Sequence, residues 1–179
     1  MQKIKFYTVA IFTLIILTST YTKTQAQKVK WYTFTEAIEL NKKQPRKIFI
    51  DVYTSWCHWC KVMDEKTFSD STIAKILNEK YYAVKFDAER KDTVIFQGHT
   101  FVSTGQGNRP PHQLAAALLN GKMSYPSIVF MNEKNQLITA MGGYQKPIDL
   151  EPLLIFVHGT MYAKGVNYQE FKKNYNYEH

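Results

Sequence analysis

Cysteine is scarce in this chain, which has only two in 179 residues, Cys57 and Cys60. A small secreted fold that relies on disulfide staples needs more cysteines in a shorter chain, so that class is excluded. Covalent haem attachment is also excluded, because it needs a histidine directly after the second cysteine and Lys61 stands there. The pair must therefore be a single structural bridge, part of a metal site, or a redox centre.

The chain also lacks an apolar run long enough to cross a membrane. The stretch from Phe6 to Leu17 has about 12 residues, whereas a spanning helix needs roughly 20. Two lysines precede it and Thr24-Gln25-Ala26 follows, which is the layout of a secretory signal peptide cleaved after Ala26. We expect residues 1–26 to be removed, leaving residues 27–179 as one exported domain, periplasmic or extracellular and bacterial, without stable membrane insertion. A signal that is kept as an anchor is the alternative.

Strong charge is absent as well. The formal net charge is +8, with 23 Lys and Arg against 15 Asp and Glu. It falls to +5 when the three lysines of residues 1–26 are removed, because that segment contains no acid. A modest surplus spread along the chain favours solubility and acidic partners, and it gives no indication of nucleic-acid binding.

Helix and strand patterns alternate in the first half of the mature chain. A capping box at Thr33-Phe34-Thr35-Glu36 predicts a helix, and the β-branched and aromatic run from Lys47 to Thr54 predicts a buried strand. Because a strand, helices and a second strand follow one another, we expect a parallel pair of strands. The predicted elements are a helix to about residue 42, a strand at 47–54, a helix from the cysteines to about 66, a helix at 72–80 and a strand at 82–87.

The pattern becomes irregular from Ala88 to Ser124, a segment that contains the loop Gly105 to Pro111. Regular patterns resume after it, and a tight turn between the last two predicted strands indicates that they pair antiparallel. The predicted elements are a small hairpin of 94–96 with 100–102, a short helix at 112–120, strands at 127–131 and 136–141, a closing helix at 148–158 and a helical extension within 160–179.

The C-x-x-C spacing suits thiol–disulfide exchange. The attacking species is the thiolate, so a reactive cysteine needs a pKa well below the free value of about 8.5. Cys57 lies where the strand ends and the helix begins, and there the unpaired backbone N–H groups and the helix dipole stabilise an anion. A protonated His58 would add to this effect. Cys60, one turn later and more buried, is placed to attack the mixed disulfide and release the partner.

Asp51 is a carboxylate in an otherwise apolar strand, six residues before Cys57. Burial of such a group raises its pKa, which would suit a proton acceptor for the Cys60 thiol. The alternative is that Asp51 lies on an edge strand and faces solvent.

Aromatic residues and a proline surround the predicted redox pair. Trp56 and Trp59 belong either to the core or to an exposed apolar patch that docks partners. Tyr125 and Pro126 precede the strand predicted at 127–131. The residues alone do not predict a cis bond there, because only about one X–Pro bond in twenty is cis.

The segment from Asp51 to Lys61, with its Trp56-Cys57-His58-Trp59-Cys60 motif, resembles the active-site segment of the thioredoxin superfamily, which has an Asp followed by W-C-x-x-C-K. With the residues up to Asp70, it resembles exported thioredoxin-like domains. The resemblance covers about residues 30–158. It implies an α/β thioredoxin fold, a central mixed sheet with helices on both faces, in which residues 88–124 form an insertion between the second and third core strands.

The resemblance also implies site roles. Cys57 would be the nucleophile, Cys60 the resolving thiol and Asp51 the buried proton relay, with Lys85 as the basic neighbour of Asp51. Pro126 would be a cis-proline that faces the disulfide, and Gly143 would help to line the groove where an extended partner segment docks. His58 and Trp59 replace the usual Gly-Pro, which leaves the redox potential open.

We therefore expect a thiol–disulfide oxidoreductase that exchanges disulfides with protein substrates and acts as a reductase, served by a membrane or soluble redox partner. No organic cofactor and no metal is required. Two alternatives remain open: a binding or chaperone-like adaptor whose disulfide is static, and a metal carrier. The expected substrate contacts are Trp56, His58, Trp59, Tyr125, Pro126 and Gly143.

Overall fold

The computed structural model describes residues 27–105 and 107–177, so the expected signal peptide lies outside the described residues. Apart from a two-residue first strand and a 3-10 turn, the order of elements matches the predicted one, with boundaries that differ by a few residues. In chain order they are β1 (Trp31–Tyr32), α1 (Phe34–Lys43), β2 (Lys47–Tyr53), α2 (His58–Lys66), α3 (Ser71–Lys80), β3 (Tyr81–Asp87), β4 (Val94–Phe96), β5 (His99–Phe101), α4 (Gln113–Leu118), β6 (Ser127–Met131), β7 (Leu137–Gly142), α5 (Pro147–His158), a 3-10 turn (Met161–Lys164) and α6 (Tyr168–Lys173).

Five strands form a central mixed sheet in the order β1-β3-β2-β6-β7. β1 and β2 both pair parallel with β3, whereas β6 pairs antiparallel with β2 and β7. The expected parallel pair and the expected antiparallel pair are both confirmed. Strand β1 was not predicted, because two residues are too few to show an alternation of apolar and polar side chains.

Two apolar cores lie on opposite faces of the sheet, because side chains alternate along each strand. Ile48, Ile50 and Val52 of β2 pack on the face that α1 and α4 cover. Phe49 packs on the other face with residues of α2, α3 and α5. The α/β class with helices on both faces is therefore confirmed, and β2 is its buried centre.

Local signals in the sequence explain where the helices begin. The Thr33 side chain accepts a hydrogen bond from the Glu36 backbone N–H, and the Glu36 carboxylate accepts one from the Thr33 backbone N–H at 2.7 Å. This is the reciprocal capping box that the sequence predicted. Asp70 caps α3 in a similar way, since its carboxylate accepts from the N–H groups of Thr72 and Ile73.

The described residues of the segment 88–124 contact the main body of the fold. β4 and β5 form a separate antiparallel pair, and α4 packs on the core face shared with α1. The His112 backbone N–H donates to Ala88 O at 2.7 Å, which returns the chain to the end of β3. Within the part of the chain that is described, no helix combines the length and the apolarity that a membrane crossing needs.

Candidate functional site

The two cysteines form a disulfide at the start of α2, with their Cα atoms 5.3 Å apart. β2 ends at Tyr53, and Cys57 is the N-cap residue of the helix. Its sulfur accepts a hydrogen bond from the Cys60 backbone N–H, with an N–S distance of 3.1 Å. The Cys60 N–H at this helix start therefore points at the Cys57 sulfur, where it would also stabilise a thiolate in the reduced protein.

Both cysteine residues are buried. Cys57 is 5% exposed and Cys60 is 2% exposed. The residues on either side of Cys57 are open, with Trp56 at 48% and Trp59 at 55% exposure. His58 is also exposed, and its ring lies 5.6 Å from the Trp59 ring between centroids. Both tryptophans thus lie on the surface beside the disulfide and not in the core.

Asp51 is buried, on the sheet face that carries α2. Only 1% of its side chain is exposed, which contradicts the alternative of a solvent-facing edge residue. Lys85 lies opposite Asp51 in the register of the β2–β3 pair, and its Nζ is 2.6 Å from Asp51 Oδ2. Burial raises the pKa of Asp51 to about 6, and the Lys85 charge opposes this rise without cancelling it.

Lys85 is shared between two acids. Its Nζ also donates to Asp64 Oδ1, and the tyrosine ring of Tyr53 lies 4.9 Å from it. Burial lowers the pKa of Lys85, but its two carboxylate partners more than offset this, and the pKa lies above its usual value. Asp64 was not predicted, although it lies four residues after Cys60 and therefore on the same helix face. Its position along α2 is the signal that could have identified it.

The two carboxylate oxygens of Asp51 differ in their contacts. Asp51 Oδ1 is buried and has no hydrogen-bond partner among the described residues, and the same is true of Thr54 Oγ1 at the end of β2. A buried acceptor without a donor is expensive to maintain as an anion. It is therefore ready to take up a proton.

A groove of about 350 Å³ is lined in part by Trp59, which directly precedes Cys60 in the chain, and is called the Pro126 groove below. The Tyr125–Pro126 peptide bond is cis, as the resemblance implied and as the residues alone did not predict. Gly143 has a φ of 101°, which favours glycine, and its N–H donates to Pro126 O at 2.7 Å. The groove is lined by Trp59, Tyr125, Pro126, Gly143 and Tyr144.

The structure therefore brings four of the expected substrate contacts together in this groove. Tyr144 was not predicted; its ring lies 5.5 Å from the Trp59 ring, and it follows directly after Gly143. Burial raises the pKa of Tyr125 to about 12, with the nearby carboxylates Glu89 and Asp87 adding to the rise. The Tyr125 hydroxyl is therefore neutral at physiological pH.

Trp56 stands outside this groove and contacts the segment 88–124. Its Nε1–H donates to Glu89 Oε1 at 3.0 Å, and the Arg109 guanidinium carbon lies 5.0 Å from the centre of its ring. The Tyr125 ring packs edge-on against it at 6.0 Å. No sequence signal indicated Glu89 or Arg109, because both lie far along the chain from the cysteines.

The described residues hold no group of three or more His, Cys, Asp or Glu side chains placed to bind a metal ion. The histidine in the segment 88–124 that is most buried, His112, has both ring nitrogens engaged. Its Nδ1 accepts from the Leu114 N–H, and its Nε2 lies 3.0 Å from Asp92 O.

Comparison with protein families gives a match over residues 12–151 to the Thioredox_DsbH family model, described as a protein of unknown function, DUF255. This match spans more than two thirds of the chain and includes both cysteines, Asp51, Lys85 and Pro126.

Curated relatives match the chain over shorter stretches. An uncharacterized protein of Caenorhabditis elegans, B0495.5, is 33% identical over an alignment of 116 residues, with coverage of 56% of this chain and 16% of that protein. Spermatogenesis-associated protein 20 of Mus musculus is 39% identical over an alignment of 83 residues, with coverage of 44% of this chain and 10% of that protein. The chain thus corresponds to a small part of these larger relatives.

Solved structures share the fold. A DsbH oxidoreductase has a TM-score of 0.51 and 19% identity, covering 83% of this chain and 95% of its own. A thioredoxin from Thermus thermophilus has a TM-score of 0.57 and 16% identity, covering 85% of this chain and 99% of its own. The chain has the thioredoxin fold, with the two cysteines at the start of the helix that follows β2.

Proposed function

The chain belongs to the Thioredox_DsbH (DUF255) family, and from this premise we propose that it is a thiol–disulfide oxidoreductase that reduces disulfides in protein substrates through Cys57 and Cys60. One observation carries the proposal. The two cysteines are disulfide-bonded at a helix N-terminus, where the Cys57 sulfur accepts a backbone N–H. A purely structural bridge does not need a sulfur that is held as a hydrogen-bond acceptor.

The first step is attack by the Cys57 thiolate on a substrate disulfide. An S–S bond forms between Cys57 and one substrate sulfur, the substrate S–S bond breaks, and the second substrate sulfur leaves as a thiolate that takes a proton from solvent. The helix N-terminus lowers the free energy of the Cys57 anion before the attack and when Cys57 is regenerated. Cys57 carries this role because it is the N-cap residue and its sulfur accepts a backbone N–H at the helix start.

The second step closes the protein disulfide. Cys60 loses its proton and attacks the Cys57 sulfur, an S–S bond forms between the two cysteines, and the substrate sulfur that was bound to Cys57 leaves as a thiolate that takes a proton from solvent. Overall, two electrons pass from the protein to the substrate, and both substrate thiols take their protons from solvent. The Asp51 carboxylate is the proposed proton acceptor, because its pKa of about 6 lies close to physiological pH. Its unpaired Oδ1 provides the site for the proton.

Partner polypeptides are proposed to dock along the Pro126 groove as extended segments. The groove offers apolar rings from Trp59, Tyr125 and Tyr144, and these residues flank the cis-proline. His58 lies at the exposed rim, where it can meet a bound segment. These contacts would hold the substrate disulfide against Cys57.

The working cycle needs an external source of electrons. A dithiol, in solution or in a membrane protein, is the proposed donor that reduces the Cys57–Cys60 disulfide again, and no organic cofactor takes part in the cycle. We place the protein outside the cytoplasm of a bacterium, on the basis of the signal-like segment at residues 1–26.

The test is the reduction of insulin by the protein with dithiothreitol as electron donor. The wild-type protein is expected to accelerate insulin reduction strongly over dithiothreitol alone, and Cys57→Ser is expected to lose this acceleration completely. Equal rates for wild type and Cys57→Ser would contradict the proposal and favour the adaptor with a static disulfide. An equilibrium titration with glutathione then gives the direction, and a reductase is expected to show a strongly reducing potential.

A further inference from the structure

Trp56 is an exposed residue that is nevertheless held from several sides. Its indole N–H donates to Glu89 at 3.0 Å, and the Arg109 guanidinium lies over its ring at 5.0 Å. The ring also packs edge-on against Tyr125, which lines the Pro126 groove. Half of the Trp56 surface remains open to solvent, so these contacts fix the ring without burying it.

Both polar partners of Trp56 belong to the segment 88–124. Glu89 follows the end of β3, and its backbone N–H donates to Asp87 Oδ1 at 2.8 Å, which anchors it to the sheet. Arg109 lies in the loop before α4, next to the buried Pro110. The segment therefore reaches the residue that directly precedes Cys57 from two separate points.

The contacts are of a kind that orients an aromatic ring. A hydrogen bond to a charged acceptor fixes the edge of the indole, and a guanidinium prefers to lie over the aromatic face. Together they select one orientation of the ring among those an exposed tryptophan could adopt. Tyr125 then packs against a ring that is already in place.

We propose that Glu89 and Arg109 are positioning residues that hold Trp56 against Tyr125 at the edge of the Pro126 groove, and that the segment 88–124 thereby favours polypeptide disulfides over small ones. The inference rests on the proposed function and deepens it. A polypeptide lies along the groove and contacts its edge on both sides of the reacting sulfur. A small disulfide reaches Cys57 without using that edge, so the position of Trp56 matters only for the larger substrate.

The kinetic test compares one polypeptide and one small disulfide. The reduced protein is mixed with insulin or with 5,5′-dithiobis(2-nitrobenzoic acid), and the second-order rate constants are measured. Arg109→Gln and Glu89→Ala are expected to lower the rate with insulin by about three- to tenfold and to leave the rate with the small disulfide within about twofold.

Two conservative variants and one surface control are measured beside Arg109→Gln and Glu89→Ala. Arg109→Lys keeps a cation over the ring and Glu89→Gln keeps an acceptor for the indole N–H, so both are expected to retain most of the insulin rate. Lys91→Gln removes an exposed charge from the same segment and is expected to behave as wild type.

An NMR experiment observes the Trp56 ring directly. The chain has three tryptophans, and Trp56→Phe identifies the Trp56 indole N–H signal in a ¹⁵N–¹H spectrum. Arg109→Gln and Glu89→Ala are expected to shift or broaden that signal and to leave those of Trp31 and Trp59 in place. An unchanged Trp56 signal in both variants would overturn the positioning role, whatever the kinetics.

The kinetic outcomes separate this inference from the proposed function. An active wild type whose variants lose both rates equally, or lose neither, overturns the selectivity and leaves the oxidoreductase intact. A wild-type protein that reduces neither disulfide overturns the proposed function, and the selectivity with it. A selective loss with insulin, restored by Arg109→Lys, supports the inference.

Discussion

The cysteine segment, residues 47–66, and the segment 88–124 meet at Trp56, but they are built differently. The cysteine segment is continuous: β2 runs directly into the turn and then into α2, so Asp51, Cys57 and Cys60 are placed by local geometry. The segment 88–124 is positioned by contacts with distant residues, such as those from Glu89 and Arg109 to Trp56. The first therefore carries the proposed chemistry, and the second shapes its surroundings.

Each segment also contains a buried titratable group whose pKa is shifted by burial, Asp51 in the first and His112 in the second, and the two pKa values shift in opposite directions. Burial raises the pKa of Asp51 to about 6, because the anion is disfavoured. Burial lowers the pKa of His112, because the cation is disfavoured, although the carbonyl of Asp92 partly opposes this. The same physical cause thus favours the neutral form of both groups. Only Asp51 lies where a change of charge can serve catalysis.

The largest expected effect concerns the resolving step. Asp51→Asn removes the proton acceptor, and we expect the release of substrate from the mixed disulfide to slow by on the order of 100-fold at pH 7. In the wild type, the rate of this step should fall as the pH drops through about 6, because Asp51 becomes protonated. Quenched-flow measurement of mixed-disulfide decay checks both expectations.

Glu65→Gln is the matched control for this step, because it removes an exposed carboxylate from α2, the helix that carries Cys60. It is expected to keep the wild-type rate and its pH dependence. If Asp51→Asn resolved the mixed disulfide as fast as the wild type, Asp51 would not be the proton acceptor.

The second prediction is that the same substitution stabilises the fold. The folded pKa of Asp51, about 6, exceeds the unfolded value of 3.8, so the folded state binds more protons between these pH values. The free energy of unfolding of the wild type therefore falls as the pH rises through this window. At pH 7, Asp51→Asn is expected to unfold with a free energy about 2–3 kcal/mol higher than the wild type.

Urea unfolding of the oxidised proteins at pH 4 and pH 7 measures this difference. The two proteins should be nearly equal at pH 4, where Asp51 is protonated, and should differ at pH 7. A destabilised Asp51→Asn variant at pH 7 would show that the pair with Lys85 outweighs the burial of the carboxylate.

The smallest expected effect comes from the segment 88–124. His112→Asn keeps a capping oxygen for α4 but loses the contact with Asp92 O and the packing against Phe86, whose ring centroid is 5.8 Å away. We expect the free energy of unfolding to fall by about 1–2 kcal/mol at pH 8.

The difference in free energy of unfolding between the wild type and His112→Asn should narrow at acidic pH, because His112 costs the wild type stability there, whereas protonation of Asp51 stabilises the wild type. The folded pKa of His112 is lowered, so the unfolded state binds more protons below the unfolded value of 6.5. The free energy of unfolding of the wild type therefore decreases as the pH falls below 6.5. Urea titrations at pH 8 and pH 5 measure the difference in free energy of unfolding between the wild type and His112→Asn. A difference that was larger at pH 5 than at pH 8 would contradict the account.

Much of the fold could be predicted from short stretches of sequence. The capping box of Thr33 and Glu36, the buried run of β2 and the cysteines at a helix start are all local signals, and they fixed the central strand and its helix. The resemblance added Lys85, Pro126 and Gly143, which lie far from the cysteines in the chain. Their roles stay predictions, although the structure places Lys85 beside Asp51 and Gly143 beside Pro126.

The other features of the site depend on contacts between residues that lie far apart in the chain, and no local sequence pattern predicts them. Glu89 and Arg109 are ordinary charged residues in an irregular segment, and only the folded chain brings them to Trp56. Tyr144 lines the Pro126 groove directly after the turn at Gly143. The cis bond before Pro126 depends on its tertiary surroundings, because the local preference of an X–Pro bond is trans.

The most direct test of the account is the capture of a mixed disulfide. Reduced Cys60→Ser protein is incubated with insulin, and the products are analysed by mass spectrometry with and without dithiothreitol. The account predicts a dithiothreitol-sensitive adduct joined through Cys57, and no such adduct with the Cys57→Ser protein under the same conditions. An adduct that forms equally well on Cys60 when Cys57 is replaced, or no adduct in either variant, would contradict the central claim that Cys57 is the attacking sulfur.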